Sequence, residues 1–278
     1  MFGEELFFSG GCQDEDVLNF LVAADIKDYD IFHASTPYEI SGLEIRSALC
    51  KFVTSMKTEG LWTAFRAIYP IVGDTLDKRK FNLRNPADTD AAFRLSGTIT
   101  NEPNGFRSVG SQQLSTFCTT TSGDTTSSFF PCFVYCQSNI AETTAGVILG
   151  GGTNLVLRHT NNTLYFRHNN SANPPPGLIQ SFTDSRGVFG FGRRFSPTNT
   201  AWSLINTGAI VTGIYPRGLV ATTVVLFGTV PGQTWTRSQN IISFLAVGNI
   251  SSILSDSAIL KVKTCIEILQ EDLKRKVI

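Results

Sequence analysis

Turn signals recur from about residue 90 to residue 255, and they restrict the fold more than any other feature of the chain. The stretches NEPNG, TTSGD, LGGGTN, NNSANPPPG, SPTNT, INTG and VPGQ each gather Gly, Pro, Asn, Asp or Ser. Such clusters punctuate a chain because Gly accepts positive φ, Pro presets φ, and Asn, Asp and Ser bond to their own backbone. Only short strands fit between them, and short strands at this spacing pair antiparallel into a sandwich or barrel. One hairpin can be built explicitly in LVLRHTNNTLYFRH. With Asn161-Asn162 as a two-residue turn, Thr160 faces Thr163, Leu157 faces Phe166 and Arg158 faces Tyr165.

The flanks have a helical period. In QDEDVLNFLVAADI, Val17, Leu18, Leu21 and Ala24 mark one face, with acids at the start where a helix dipole favours them. Ser41 and Glu44 form a capping box ahead of a stripe of Ile45, Ala48, Leu49, Phe52, Val53 and Met56, and Gly60 supplies the stop. A helix is expected over 42–59. The next run, GLWTAFRAIYPIVGDT, places Leu61, Trp62, Phe65, Ile68 and Tyr69 on one side of a second helix, ended by Pro70 and Gly73. At the other end Ile259, Val262, Ile266, Leu269 and Leu273 predict a helix over 257–274, with Asp256 as its cap. The organisation expected is an N-terminal helical, attachment segment over 1–80 and a β-sandwich with a C-terminal helix over 81–278.

Charge is distributed unevenly. Residues 1–50 hold ten Asp/Glu against Lys27 and Arg46 (−8), and the rest holds 21 basic against 13 acidic residues (+8). The acidic head should therefore dock on the body or on a neighbouring subunit. No lysine occurs between Lys80 and Lys261. A surface so poor in charge suits a protein covered by partners in a large assembly. Zero net charge gives no bulk attraction to nucleic acid. The longest apolar run, GLVATTVVLFGTV, is too short and interrupted for membrane insertion. The start, MFGEELFFSGG, carries acids where a secretory leader needs bases, so synthesis in a cytoplasm and six reduced cysteines are expected. CFVYC alternates as a strand, with Cys132 and Cys136 on one face as small hydrophobes.

Candidate chemistry is sparse. The histidines are His33, His159 and His168, and no nucleophile-elbow, metalloprotease, P-loop or dinucleotide pattern is present. Glycoside hydrolysis needs two carboxylates about 5–10 Å apart, yet Glu102, Asp124, Glu142 and Asp184 are isolated in the sequence. Asp88 and Asp90 read as connector residues rather than calcium ligands. The expectation is no catalytic site, no metal and no cofactor. Carbohydrate binding remains the alternative, with Trp202, Tyr215 and Trp235 as candidate stacking residues among Asn and Thr.

The run GLWTAFRAIYPIVGDTLDKRKFNLRNPADTDAAFRLSG, followed in order by NEPNGF, a strand ending FRH, SRGVFGFGRR, WSLINTG and FLAVGNISSILSDSAIL, resembles a group of tailed-bacteriophage virion proteins. The likeness covers residue 43 to the end. It implies a mainly β chain: an antiparallel, concanavalin A-like (laminin-G-type, lectin-like) jelly-roll sandwich attached to a virion. It also implies a non-enzymatic structural component, partnered by other virion proteins and by copies of itself. A host-surface glycan is the partner under the alternative, receptor-binding reading, and a glycan-cleaving enzyme is the third. No sugar-contacting residue carries over. The acidic first 40 residues depart from the group, and their removal is expected to leave a folded sandwich that no longer joins its particle.

Overall fold

The computed structural model describes residues 12–35, 38–86, 95–119, 131–140, 146–150, 153–159, 163–168, 179–181, 183–193, 200–214, 223–227, 236–249 and 254–277. The helices are α1 (Glu15–Ala23), α2 (Gly42–Thr58), the single turn α3 (Leu76–Arg79) and α4 (Asp256–Asp272). The strands run from β1 (Ile31–Ser35), β2 (Tyr38–Ser41) and β3 (Phe65–Tyr69) through β4 (Ser96–Thr98), β5 (Thr100–Glu102), β6 (Gly105–Arg107), β7 (Gln113–Thr119) and β8 (Cys132–Cys136). They continue with β9 (Gly146–Gly150), β10 (Thr153–His159), β11 (Thr163–His168), β12 (Ile179–Ser181) and β13 (Gly187–Arg193). The last are β14 (Thr200–Leu204), β15 (Ile210–Ile214), β16 (Thr223–Leu226), β17 (Thr236–Arg237) and β18 (Ile242–Gly248).

These form mainly antiparallel sheets with a few helices. One large sheet, the inner one, has the order β15-β14-β13-β8-β18-β6-β5, with β3 also on β18. The outer one has the order β12-β11-β10-β9-β16-β7-β4, with β17 parallel to β9. Strands β1 and β2 make a separate ribbon. One core lies between the large sheets, joining Leu114, Cys118 and Leu226 of the outer to Val134, Phe189, Leu245 and Val247 of the inner. A second core lies on the inner sheet's other face, where Phe133, Tyr135, Trp202, Leu204 and Phe244 meet α1, α2 and α4. The result is a sandwich with a helical layer on one side.

This three-layer arrangement explains the central strands. Every residue of CFVYC is buried, because Cys132, Val134 and Cys136 face the inter-sheet core while Phe133 and Tyr135 face the helices. A strand covered on both faces reads apolar throughout. Cys132 and Cys136 do share a face, and both are free. In GVFGFGR, Gly190 and Gly192 stand on the helical side. A Cβ at Gly190 would lie 2.7 Å from the Phe133 ring, and one at Gly192 would lie 2.7 Å from the Trp202 ring. The two absent side chains leave seats for two large aromatics from neighbouring strands.

The expected helix over 61–69 is not there. Gly60, at φ +67°, ends α2, a single 3-10 turn follows at Trp62–Ala64, and β3 pairs with β18 through Ala67↔Val247, Ile68↔Ala246 and Tyr69↔Leu245. Its apolar residues serve two cores: Phe65 and Ile68 belong to the helical one, Ala67 and Tyr69 to the inter-sheet one. A short apolar run has the same composition in a buried helix and in a strand covered twice. The Tyr69 hydroxyl donates to the Thr116 carbonyl at 3.2 Å, tying the sheets together.

Three further expectations change. The β10–β11 pairing sets Leu155 opposite Phe166 and Val156 opposite Tyr165, and after an irregularity closes with His159 opposite Thr163. The register built on a two-residue turn is thus displaced by two residues at Leu155 and Val156 and by one at His159. The cap of α4 is Ser255, whose hydroxyl accepts from Ala258 N, rather than Asp256. Cys12 and Cys50 form a disulfide with Cα atoms 6.0 Å apart, so four of the six cysteines are free rather than all six. Sequence spacing alone could not bring together two cysteines 38 residues apart; the packing of α1 against α2 does.

The capping box of α2 is formed as read. Ser41 Oγ accepts from Glu44 N, and Glu44 accepts from Ser41 N at 2.7 Å. The Lys274 ammonium lies 2.8 Å from the same carboxylate. Lys274 first, and the Ser41 backbone N–H next, lower the Glu44 carboxyl to about 2. A folded-state value below the unfolded 4.5 means a contribution present above pH 4.5 and lost as pH falls toward 2. The side chain is half exposed, so solvent screening keeps this below about 1 kcal/mol. Urea melts at pH 5 and pH 3 should show a smaller stability loss for Glu44→Gln than for the unmodified chain.

Candidate functional site

The acidic head finds its cations within the chain. Lys57 reaches Asp14 at 2.8 Å and Asp16 at 2.7 Å, Lys78 lies 3.7 Å from Asp30, and Lys274 pairs with Glu44. Arg46, itself in the head, is 3.3 Å from Asp28. Four of the ten acids read from the sequence, Asp14, Asp16, Asp30 and Glu44, thus help to fasten the head to the body. Apolar packing completes the attachment: Val17, Phe20, Leu21, Ala24, Ile26, Phe32 and Ile40 share one core with Phe133, Trp202 and Phe244 of the inner sheet. Removing residues 1–40 would take these seven side chains from that core and leave the inter-sheet core untouched.

With the charges paired, the outer side of the helical layer is left with a trough between α2 and α4. Its wider part, of about 870 Å³, is walled by Leu43, Ser47, Thr54 and Ile268 and closed at one end by the Cys12–Cys50 bridge. A second hollow of about 420 Å³ continues along Thr58, Leu260 and Thr264, sharing Thr54, Ser55 and Ile268 with the first. The helices place these residues because their inward stripes, Ile45, Leu49, Phe52 and Val53 on α2 and Ile259, Val262, Ile266 and Leu269 on α4, fix which face is turned away. Leu43 and Ile268 are each 45% exposed and Leu260 39%. Ion pairs Lys51–Asp272 (3.2 Å) and Lys261–Glu59 cross from one helix to the other or its cap and neutralise the rim. An apolar floor, small hydroxylated walls and a charge-balanced rim suit contact with another protein surface.

Of the sequence-predicted sugar-contact residues, Trp202 alone falls among the described residues. Trp202 is fully buried, its ring 5.6 Å from that of Phe133, so it is a core residue and no stacking platform. The correction follows from the helical layer, which covers the face of β14 that a bare sandwich would expose. Tyr215 and Trp235 lie outside the described residues, as do Asp88, Asp90, Asp124 and Glu142. Glu102 is ion-paired with Arg107, and Asp184 with Arg186 at 2.7 Å. Among the described residues no cluster of three His, Cys, Asp or Glu side chains could hold a metal, and no helix is long and apolar enough to cross a membrane. The trough itself could not be anticipated from the sequence, although exposed Leu43 and Ile268 stand outside the helical stripes and were the available signal.

No protein-family model and no curated protein matches the chain. Solved structures do. A Trypanosoma rangeli sialidase in complex with 2,3-difluorosialic acid aligns over 84% of this chain and 40% of its own, with 10% identity and a TM-score of 0.48. A mutant of that sialidase displaying trans-sialidase activity aligns over 84% and 39%, with 11% identity and a TM-score of 0.45. The binding domain of botulinum neurotoxin DC in complex with SialylT aligns over 74% and 52%, with 13% identity and a TM-score of 0.46. The chain spans about two fifths of the sialidases it aligns with. These identities and TM-scores carry no argument about this chain's chemistry. Beside these sialidase alignments the expectation of a non-enzyme is withdrawn, because it rested only on acids isolated in the sequence. Carboxylates far apart in a sequence can meet in a fold.

Proposed function

We propose that the chain is a binding protein held in a larger assembly, with a jelly-roll-type sandwich carried on a helical docking layer. The observation that carries this reading is the exposed apolar trough between α2 and α4, since Leu43, Leu260 and Ile268 stay exposed on helices whose other apolar residues are sealed. The resemblance to tailed-phage virion proteins supports a virion as that assembly, with another virion protein supplying apolar side chains to the trough. The middle of the chain, with four acids and eight arginines from Leu95 to Ser255, suits a surface partly covered by neighbours. The test is a paired substitution, Leu43→Glu with Ile268→Glu, at two exposed positions that leave both cores intact. The variant should keep wild-type circular dichroism and melting temperature while its incorporation into particles falls at least about tenfold, as expected for interface anchors. A folded variant that incorporates normally would remove the trough from the attachment.

Glycan binding is the second reading, favoured by the uneven cover of the two sheets. The helices seal the inner sheet, whereas among the described residues none of their core partners comes from the outer sheet. The sialidase and the toxin binding domain are in complex with 2,3-difluorosialic acid and SialylT, so sialylated and neutral glycans are the probes to use. Saturable binding by the intact chain would support this reading, and no binding to either class would remove it. Release of free sugar in the same incubations would add cleavage to binding.

A further inference from the structure

Two guanidinium groups are buried on the wall of one small cavity, and the described residues give neither of them a carboxylate. Arg79, at the end of α3, is 3% exposed. Its Nε donates to Gly73 O at 2.7 Å, and its two terminal nitrogens donate to Asn101 Oδ1 at 2.6 Å, Pro103 O at 2.7 Å, Gly105 O at 3.2 Å and Glu102 O. Arg275, just beyond α4, is 5% exposed and donates to Ile71 O at 2.8 Å, Pro70 O at 3.0 Å and Ser243 O at 3.4 Å. Its Nε has no partner among the described residues. All the acceptors named are neutral. Each positive charge opposes the other in the same interior, and only half-exposed Asp74 relieves Arg79.

Between them lies a cavity of about 20 Å³, with Phe32, Ile45, Val72 and Leu273 in its walls. The volume exceeds the roughly 10–15 Å³ that one water-sized particle needs. Unpaired buried charge is costly, and an orphaned donor beside it adds to the cost. A neutral water would satisfy the Arg275 Nε but leave Arg275 without an anion and Arg79 with half-exposed Asp74 alone. We infer that this cavity is a binding site for a single monatomic anion of the chloride class, held by Arg275 Nε and by the combined field of the two guanidiniums.

The inference is independent of the docking reading, because the cavity lies under the helical layer and not in the trough. Bromide is the probe for the site itself. Crystals of the full chain soaked in sodium bromide should show an anomalous peak in the cavity lined by Arg79 and Arg275. Melts of the same chain at matched ionic strength should run about 3 °C higher in 0.5 M chloride than in 0.5 M gluconate, which is too large to enter. Arg275→Met, which keeps much of the side-chain volume, should abolish that difference. If Arg275→Met does not fold, the bromide peak and the chloride effect on the unmodified chain still decide. A cavity without an anomalous peak, or melts that coincide in chloride and gluconate, would overturn the site.

Discussion

Trp202→Ala is expected to lower the unfolding free energy by about 3–5 kcal/mol, the range for truncating a large buried aromatic. The indole is fully buried, tilted 43° against Phe133, and seated where Gly192 has no side chain. Its removal leaves a void between the inner sheet and the helical layer that neither backbone can close, because both are held by neighbouring strands and helices. The Trp202 Nε1 has no partner among the described residues. Trp202→Phe should therefore lose less, since it keeps a ring and deletes a buried donor. Gly192→Ala approaches the same contact from the other side and should destabilise by about 1–3 kcal/mol through overpacking. Urea denaturation of the three variants checks this. A Trp202→Ala chain as stable as the unmodified one would put the indole on the surface and restore it as a sugar-stacking candidate.

The second large effect comes from the Cys12–Cys50 bridge. It closes a loop with a sequence separation of 38, for which the chain-entropy relation gives about 4 kcal/mol as an upper value. The loop contains α1 and the ribbon of β1 and β2, so the bridge fastens the least extensive part of the helical layer to α2. Reduction, or Cys12→Ser with Cys50→Ser, should lower the melting temperature by up to about 8 °C at roughly 2 °C per kcal/mol for a chain of this size. Thiol counting under denaturing, non-reducing conditions should find four free thiols. A count of six, with melts unchanged by reductant, would show that the bridge does not form. The reduced chain should also become easier to cleave within residues 12–40, because the docking of α1 then rests on its apolar contacts and on Lys57 alone.

Much of the architecture was legible in the chain because local rules and tertiary packing agree there. The Ser41–Glu44 box, the stripe from Ile45 to Met56 and the Gly60 stop define α2 by hydrogen bonds and periodicity within one helix. The stripe of α4 is equally self-contained. Turn clusters set the mainly antiparallel β character of the middle, since Gly, Pro and Asn act on their own residues and need no partner.

What only the tertiary structure decided is which faces are covered. Phe65–Tyr69 carries an apolar pattern that fits a helix or a doubly covered strand, and the free edge of β18 settles it as β3. Trp202 has the composition of a sugar platform in a bare sandwich, and the helical layer makes it core. The same layer draws the acids of the head onto Lys57, Lys78 and Lys274 and brings Cys12 to Cys50. It also sets Arg79 beside Arg275 although 196 residues separate them. The physical reason is common to all of these. Local propensity acts over a few residues, whereas cover, pairing and charge compensation depend on partners that only the folded chain brings within reach.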